Sequence, residues 1–123
     1  MDNVRIAEFD FRTYEQWLKR ERDVTVTLGV FFARISEVVW YSDGRFRVSA
    51  GFGPNGNPLN VYANPFFIMS ADFTKDDKEN GYLEHWYNEA CETLNEKFAE
   101  HVAGNYLVSG RQQRPDQNGK EGI

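Results

Sequence analysis

Apolar residues recur along this chain with two different periods, and the change from one to the other marks its elements. Val24, Val26, Leu28 and Val30 alternate with Thr25, Thr27 and Gly29 in the two-residue step of a strand, and Phe31 and Phe32 follow in succession. This predicts a first strand over residues 24–35, which Val38 and the residues up to Tyr41 extend to a turn at Ser42-Asp43-Gly44, where Asp-Gly is a strong hairpin signal. Phe46, Val48 and Ala50 then alternate with Arg45, Arg47 and Ser49, so a second strand is predicted with both arginines opposite its apolar face. Pro54-Asn55-Gly56-Asn57-Pro58 predicts the next reversal, and residues 59–69 a third strand interrupted at Pro65, as suits an edge or a bulge.

Residues 71–81 are polar and acidic and read as an inserted surface loop. Beyond them Leu83, Tyr87, Ala90, Leu94, Phe98 and Val102 recur three or four apart, which predicts a helix over residues 82–103 with Gly104 as its stop. Tyr106 and Val108 restart the two-residue step, predicting a fourth strand over residues 105–110 and a polar tail after it. At the other end, Val4 and Ile6 are in phase but Phe9 and Phe11 are not, so a bulged strand and a non-strand arm are equally open. Residues 13–22 predict a short helix with Thr13 as N-cap, Gln16 completing a capping box, and Trp17 and Leu18 as its apolar side.

Composition narrows the picture in three ways. A chain of 123 residues with 41% hydrophobic content fits one domain, and 10 Phe, 6 Tyr and 3 Trp exceed what a core of this size requires, so some aromatics are expected on a working surface. No apolar run approaches the roughly 20 residues of a membrane span, and Met1-Asp2-Asn3-Val4-Arg5 opens no signal-type stretch, so a cytoplasmic protein without membrane contact is expected. The one cysteine, Cys91, excludes an internal disulfide and reads as a packed thiol.

A net charge of −5 opposes nucleic-acid binding through bulk positive charge, yet the charge is unevenly spread. Residues 72–104 hold nine acids against three bases, whereas residues 24–71 carry a net of +1 and residues 105–123 a net of +1. An anion could therefore approach the strands with the acidic helix turned away.

The order strand, Ser42-Asp43-Gly44-Arg45-Phe46-Arg47-Val48, strand, helix opening over residues 87–92, Ala103-Gly104, then Leu107-Val108-Ser109-Gly110-Arg111 resembles the bacterial, phage and plasmid single-stranded DNA-binding proteins. Gln117-Asn118-Gly119-Lys120 is similar to the turn before that family's last strand. The resemblance implies a mainly β fold with one long helix, an OB-fold (a five-stranded Greek-key barrel) over residues 24–111, preceded by an arm with a short helix over residues 1–23 and followed by a polar tail over residues 112–123. The acidic segment and the first twenty-odd residues are additions to the family pattern. The sequence stops at Ile123, before the family's fifth strand, so either it is shortened or residues 4–11 help close the barrel, and it does not show the acidic, aromatic tip that recruits replication proteins in housekeeping members.

The implied function is sequence-independent binding of single-stranded DNA, in the replication or transfer (conjugation) of a mobile element such as a plasmid or phage. That chemistry needs flat rings for bases and cations for phosphates along one groove. Trp40, Tyr41, Phe52, Tyr62 and Phe66 are the candidates for stacking, and Arg34, Arg45, Arg47 and Arg111 for phosphate. Phe31, Phe46 and Phe98 sit in phase with apolar neighbours and are assigned to the core. Phe9, Phe11, Trp17 and Leu18 require a buried home on a neighbouring subunit or on the barrel, which makes them the candidates for a homo-oligomer contact. Single-stranded RNA would use the same groove. An acidic interaction module or inhibitor, presenting Glu84, Glu89, Glu92, Glu96 and Glu100 to a basic partner, is the alternative.

Enzymatic motifs are weak, and no enzyme activity, cofactor or metal is expected. Gly51-Phe52-Gly53-Pro54-Asn55-Gly56 has the letters of a dinucleotide loop but no helix after it. Asp72, Asp76, Asp77 and Glu79 do not match an EF-hand, and His85 and His101 lack ligand-spaced companions.

Overall fold

Glycine 29 sets the first reversal of the chain, and it does so inside the segment expected to be one strand. Its φ of +59° is open to glycine at little cost, and with Val30 it forms a two-residue loop that pairs Leu28 with Phe31, as in a type II′ hairpin. The computed structural model describes residues 7–54, 62 and 64–104. Within them β1 (Asp23–Leu28), β2 (Phe31–Trp40), β3 (Phe46–Pro54) and β4 (Phe67–Phe73) form one antiparallel sheet in the order β1-β2-β3-β4. The expected first strand is thus two, divided where the alternation of valines runs on through the turn and hides it.

The β2–β3 reversal is the expected one. Tyr41 N donates to Arg45 O at 2.8 Å, Gly44 N donates to Tyr41 O at 3.0 Å, and Gly44 takes a φ of +92°. The fourth strand starts at Phe67, past Pro65, and runs to Phe73, so Ala71, Asp72 and Phe73 belong to the sheet where a loop was expected. Gly51 sits in β3 because β4 crosses it closely: a Cβ there would lie 2.7 Å from the Phe67 carbonyl oxygen. The acidic segment folds into α2 (Lys75–Glu79), held by a capping box in which Thr74 accepts from Asp77 N and Asp77 accepts from Thr74 N.

Helix α3 (Tyr82–Val102) follows the predicted bounds and buries Leu83, Tyr87, Ala90, Leu94 and Phe98. Against that stripe stand Phe31, Ala33 and Ile35 of β2 and Phe46, Val48, Ala50 and Phe52 of β3, so period 3.6 on the helix meets period 2 on the strands in one core. Phe98 meets Phe31 edge-on, with ring centroids 4.9 Å apart.

The N-terminal segment is part of this core. Helix α1 (Tyr14–Lys19) has the predicted Thr13/Gln16 capping box and buries Tyr14 and Trp17. Trp17 is fully buried, 4.9 Å from the Tyr87 ring, and donates its indole N–H to Ile35 O at 3.2 Å. Phe9 packs 4.6 Å from Phe98, while the Asn95 side chain accepts from Phe9 N at 2.7 Å and donates to Phe9 O at 3.2 Å, standing in for a strand neighbour. Phe11 and Leu18 are half-buried against the same cluster. The home that these four residues require is the chain's own core, so their assignment to an oligomer contact loses its basis. The boundary expected at residue 23 is not a seam either, since Trp17 and Val24 share one cluster.

Among the described residues the sheet is open and no fifth strand closes it. The strand expected over residues 105–110 and the tail lie outside the described residues.

Candidate nucleic-acid interface

The alternation of β2, β3 and β4 that builds the core also builds a second, polar face. On it Arg34, Ser36, Arg47, Ser49, Ser70 and Asp72 project away from α3, and cross-strand register puts Ser36 beside Ser49, Ser49 beside Ser70, and Arg47 beside Asp72. The sequence expectation that Arg45 and Arg47 lie opposite the apolar face holds, with both exposed while Phe46 and Val48 are buried.

These arginines are already occupied. Arg47 donates from Nε to Asp72 Oδ1 at 2.8 Å, directly across the strand pair. Arg45 donates from Nε to Asp43 Oδ2 at 2.8 Å, lies 3.6 Å from Asp72 Oδ2, and rests its guanidinium 4.6 Å from the centre of the Tyr41 ring. The hydrogen bonds from Arg45 and Arg47 hold the Asp43 and Asp72 carboxyls below the ordinary carboxylate range, and each aspartate in turn keeps its arginine charged. Arg34 grips Asp23 through two bonds, Nε to Oδ1 at 3.1 Å and Nη2 to Oδ2 at 2.8 Å. On the strands, three predicted phosphate contacts are therefore three ion-paired groups. Arg22, which the sequence did not single out, pairs with Glu37.

The aromatic candidates divide as sharply. Phe52 is 1% exposed and belongs to the core, which corrects its assignment to stacking: it faces α3 with Phe46 and Val48 rather than the polar side. Tyr62 lies over the polar face, donating its hydroxyl to Ser49 O at 2.9 Å and bonding Ser36 Oγ at 2.7 Å, with the Arg34 guanidinium 5.5 Å from its ring. Burial pushes its phenol up to about 12. Its ring is an anchor for the β3–β4 connection and is not open to a base. Trp40 is 59% exposed, its indole N–H bonded to Glu37 Oε1 at 2.6 Å, and Phe66 is 46% exposed, stacked 4.3 Å from His101. Trp40 pairs with Phe46 and Phe66 N bonds Phe52 O, so six residues of β3, roughly 20 Å, separate them.

The arrangement thus gathers Trp40, half-buried Tyr41, Arg45 and Arg47 at the β2–β3 hairpin, and leaves Phe66 at the far end beside a cavity of about 260 Å³ lined by Phe52, Phe67, Lys97, Glu100 and His101. Arg111 lies outside the described residues. Sequence reasoning missed Asp72 as the partner of both hairpin arginines because it was counted with the acidic segment; the Ser70, Asp72 alternation with Met69 and Ala71 is the signal that places it in a strand.

Cys91 is half-buried, and burial raises its thiol to about 11, which suits packing and not nucleophilic chemistry. Among the described residues no group of three His, Cys, Asp or Glu side chains is placed to hold a metal ion, and no helix is long and apolar enough to cross a membrane. No protein-family model, curated protein or solved structure matches this chain.

Proposed function

We propose that this chain binds single-stranded nucleic acid, single-stranded DNA first, without sequence preference, on an OB-like sheet. The observation that carries the reading is the hairpin at which Tyr41, Arg45 and Arg47 share the polar face while the exposed Trp40 ring packs beside Phe46 on the other. Such a hairpin offers a base the exposed Trp40 ring and a phosphate the two cations on its polar side. Its cations come with Asp43 and Asp72 attached, and exposed ion pairs of this kind are weak, so an incoming phosphate exchanges one anion for another. Modest affinity with a shallow salt dependence follows.

The test is fluorescence anisotropy of labelled oligo-dT at about 50 and 200 mM salt, with duplex DNA and matched RNA alongside. Saturable binding of the single strand that weakens with salt and loses about 1–3 kcal/mol on Trp40→Ala fits the proposal. Absence of binding at the lower salt would sink it. The paired arginines favour one rival: an acidic module whose exposed Glu84, Glu89, Glu92, Glu96 and Glu100 on α3 meet a basic protein. Binding of a basic partner that Glu92→Gln and Glu96→Gln abolish, with no oligonucleotide affinity, would establish that rival.

A further inference from the structure

The sheet arginines are matched by carboxylates, and the arginines flanking α1 are not. Arg12 and Arg20 are both exposed, and among the described residues neither has a carboxylate within ion-pairing distance. With Gln16 they line one cleft of about 160 Å³. Liquid water occupies roughly 30 Å³ per molecule, so the cleft has room for about five heavy atoms, the size of a tetrahedral oxyanion.

Its lining is made of donors. The Arg12 guanidinium spends one N–H on Asp23 O, at 3.1 Å, out of the five it carries. Gln16 accepts from Thr13 N through Oε1 at 3.1 Å to close the capping box, so the end of its side chain left for a ligand is the NH₂. Arg20 follows Gln16 by one helical turn, and its own N–H is bonded to Gln16 O at 3.1 Å, which brings both onto the same side of α1. Asp10, Glu15 and Glu21 neighbour this group in sequence, but none of them lies within ion-pairing distance of Arg12 or Arg20, and the Asp23 carboxylate is taken up by both bonds from Arg34. Arg12 is also fixed from behind, since Tyr87 on α3 donates its hydroxyl to Arg12 O at 2.6 Å. A guanidinium held at its backbone and at one N–H loses less freedom on meeting an anion.

We infer that the Arg12–Gln16–Arg20 cleft is a phosphate-binding site that takes a phosphodiester of the bound single strand. This extends the proposed function and rests on it for the identity of the ligand. The site is built on α1 from residues other than those at the β2–β3 hairpin, so the strand would be held at two places on one core.

The experiment has two arms on the full chain. In the first, inorganic phosphate is titrated while the side-chain N–H resonances of arginine and glutamine are followed by NMR; saturable shifts at Arg12, Gln16 and Arg20 are expected, and their absence at tens of millimolar phosphate overturns the site. In the second, Arg20→Gln, whose side chain makes no described contact and whose fold should be intact, is compared with wild type for oligo-dT. A loss of about fivefold to tenfold at 50 mM salt is expected, and Arg12→Gln with Arg20→Gln together should cut the log–log salt slope by about 1.4. Wild-type binding of oligo-dT that the double variant leaves unchanged would overturn the inference and leave the proposed function standing. Should wild type bind no oligo-dT at all, the proposed function fails and the site stands or falls on the phosphate arm alone.

Discussion

Two pairs of exposed arginines hang on one core in this molecule, and they differ in what faces them. Arg45 and Arg47 project from β3 into a register where Asp72 stands opposite and Asp43 closes the turn. Arg12 and Arg20 flank α1, where the next polar group between them is a glutamine amide. Four exposed guanidinium groups therefore give one pair that is ion-paired and one that, among the described residues, is not. Counting arginines along the chain treats the two alike; the cross-strand partner, which only register reveals, decides between them.

The comparison depends on α1 being part of the folded unit, and Trp17 is where that can be broken most severely. Its ring is fully buried and its indole N–H bonds Ile35 O. Trp17→Ala should cost about 3–5 kcal/mol in urea unfolding. The loss should appear in a single transition, because Trp17, the strands and α3 share one cluster. Two separate transitions would instead make α1 an appendage and its cleft a movable part.

Neutralising the aspartate should convert one patch into the other. Asp72→Asn removes the anion that Arg47 grips at 2.8 Å and that Arg45 approaches at 3.6 Å. Oligo-dT affinity at low salt should rise severalfold, and the log–log salt slope should steepen by about 0.7 for each arginine released. An unchanged slope would mean that phosphate never reaches the hairpin.

Acid should do the same by titration, to a smaller extent. Hydrogen bonds from Arg47 and Arg45 lower the Asp72 and Asp43 carboxyls in the folded chain. Their contribution to stability is present above the unfolded aspartate value of about 3.9 and is lost as pH falls through the lower folded value. Affinity for oligo-dT, whose bases do not titrate there, should therefore stay flat down to about pH 4 and rise only below it. In Asp72→Asn most of that rise should be gone. A rise already under way near pH 6 would point to a histidine and away from these pairs.

Much of this architecture was legible in the sequence, and the failures share a cause. The Thr13/Gln16 capping box, the Asp43-Gly44 turn and the bounds of α3 were read from local signals, and local chemistry is what forms them. The β1–β2 hairpin was missed because Val30 continues the phase of Val24, Val26 and Leu28 across the turn, and Gly29-Val30 lacks an Asn-Gly or Asp-Gly mark. The Thr74/Asp77 capping box is a local signal too, hidden by the acidic run that surrounds it. The site was less legible than the fold. Ring and cation types were on the page, but that Phe52 faces α3, that Tyr62 spends its hydroxyl on Ser36 and Ser49, and that Asp72 neutralises two arginines are facts of register and burial. Arg12, Gln16 and Arg20 stand four apart, a helical spacing that the sequence carries, but that they share a cleft is a fact of the folded arm.

The smallest effect concerns how the α1 pair is held. Tyr87 reaches from α3 to Arg12 O, and Tyr87→Phe keeps the ring against Trp17 while removing that bond and the hydroxyl's contact with the Cys91 thiol. A stability loss of about 0.5–1.5 kcal/mol is expected. Tyr87 also leaves a signature in alkali. Burial raises its phenol in the folded chain, as it does for Tyr14 and for Tyr62, which is pushed up to about 12. A raised acid favours its neutral form when folded, so the stability it contributes is present below the unfolded tyrosine value of about 10 and is lost as pH rises toward the folded value. Wild type should therefore begin to lose stability above about pH 9, where the raised Cys91 thiol contributes, and more steeply above pH 10, and Tyr87→Phe should lose it less steeply, with Cys91, Tyr14 and Tyr62 supplying what slope remains. If the bond to Arg12 also sets the cleft, the same variant should weaken phosphate at Arg12 and Gln16 while leaving the effect of Asp72→Asn at the hairpin untouched. An equal change at both patches would mean that Tyr87 acts through the core they share, and the distinction between a positioned and an unpositioned arginine would fall with it.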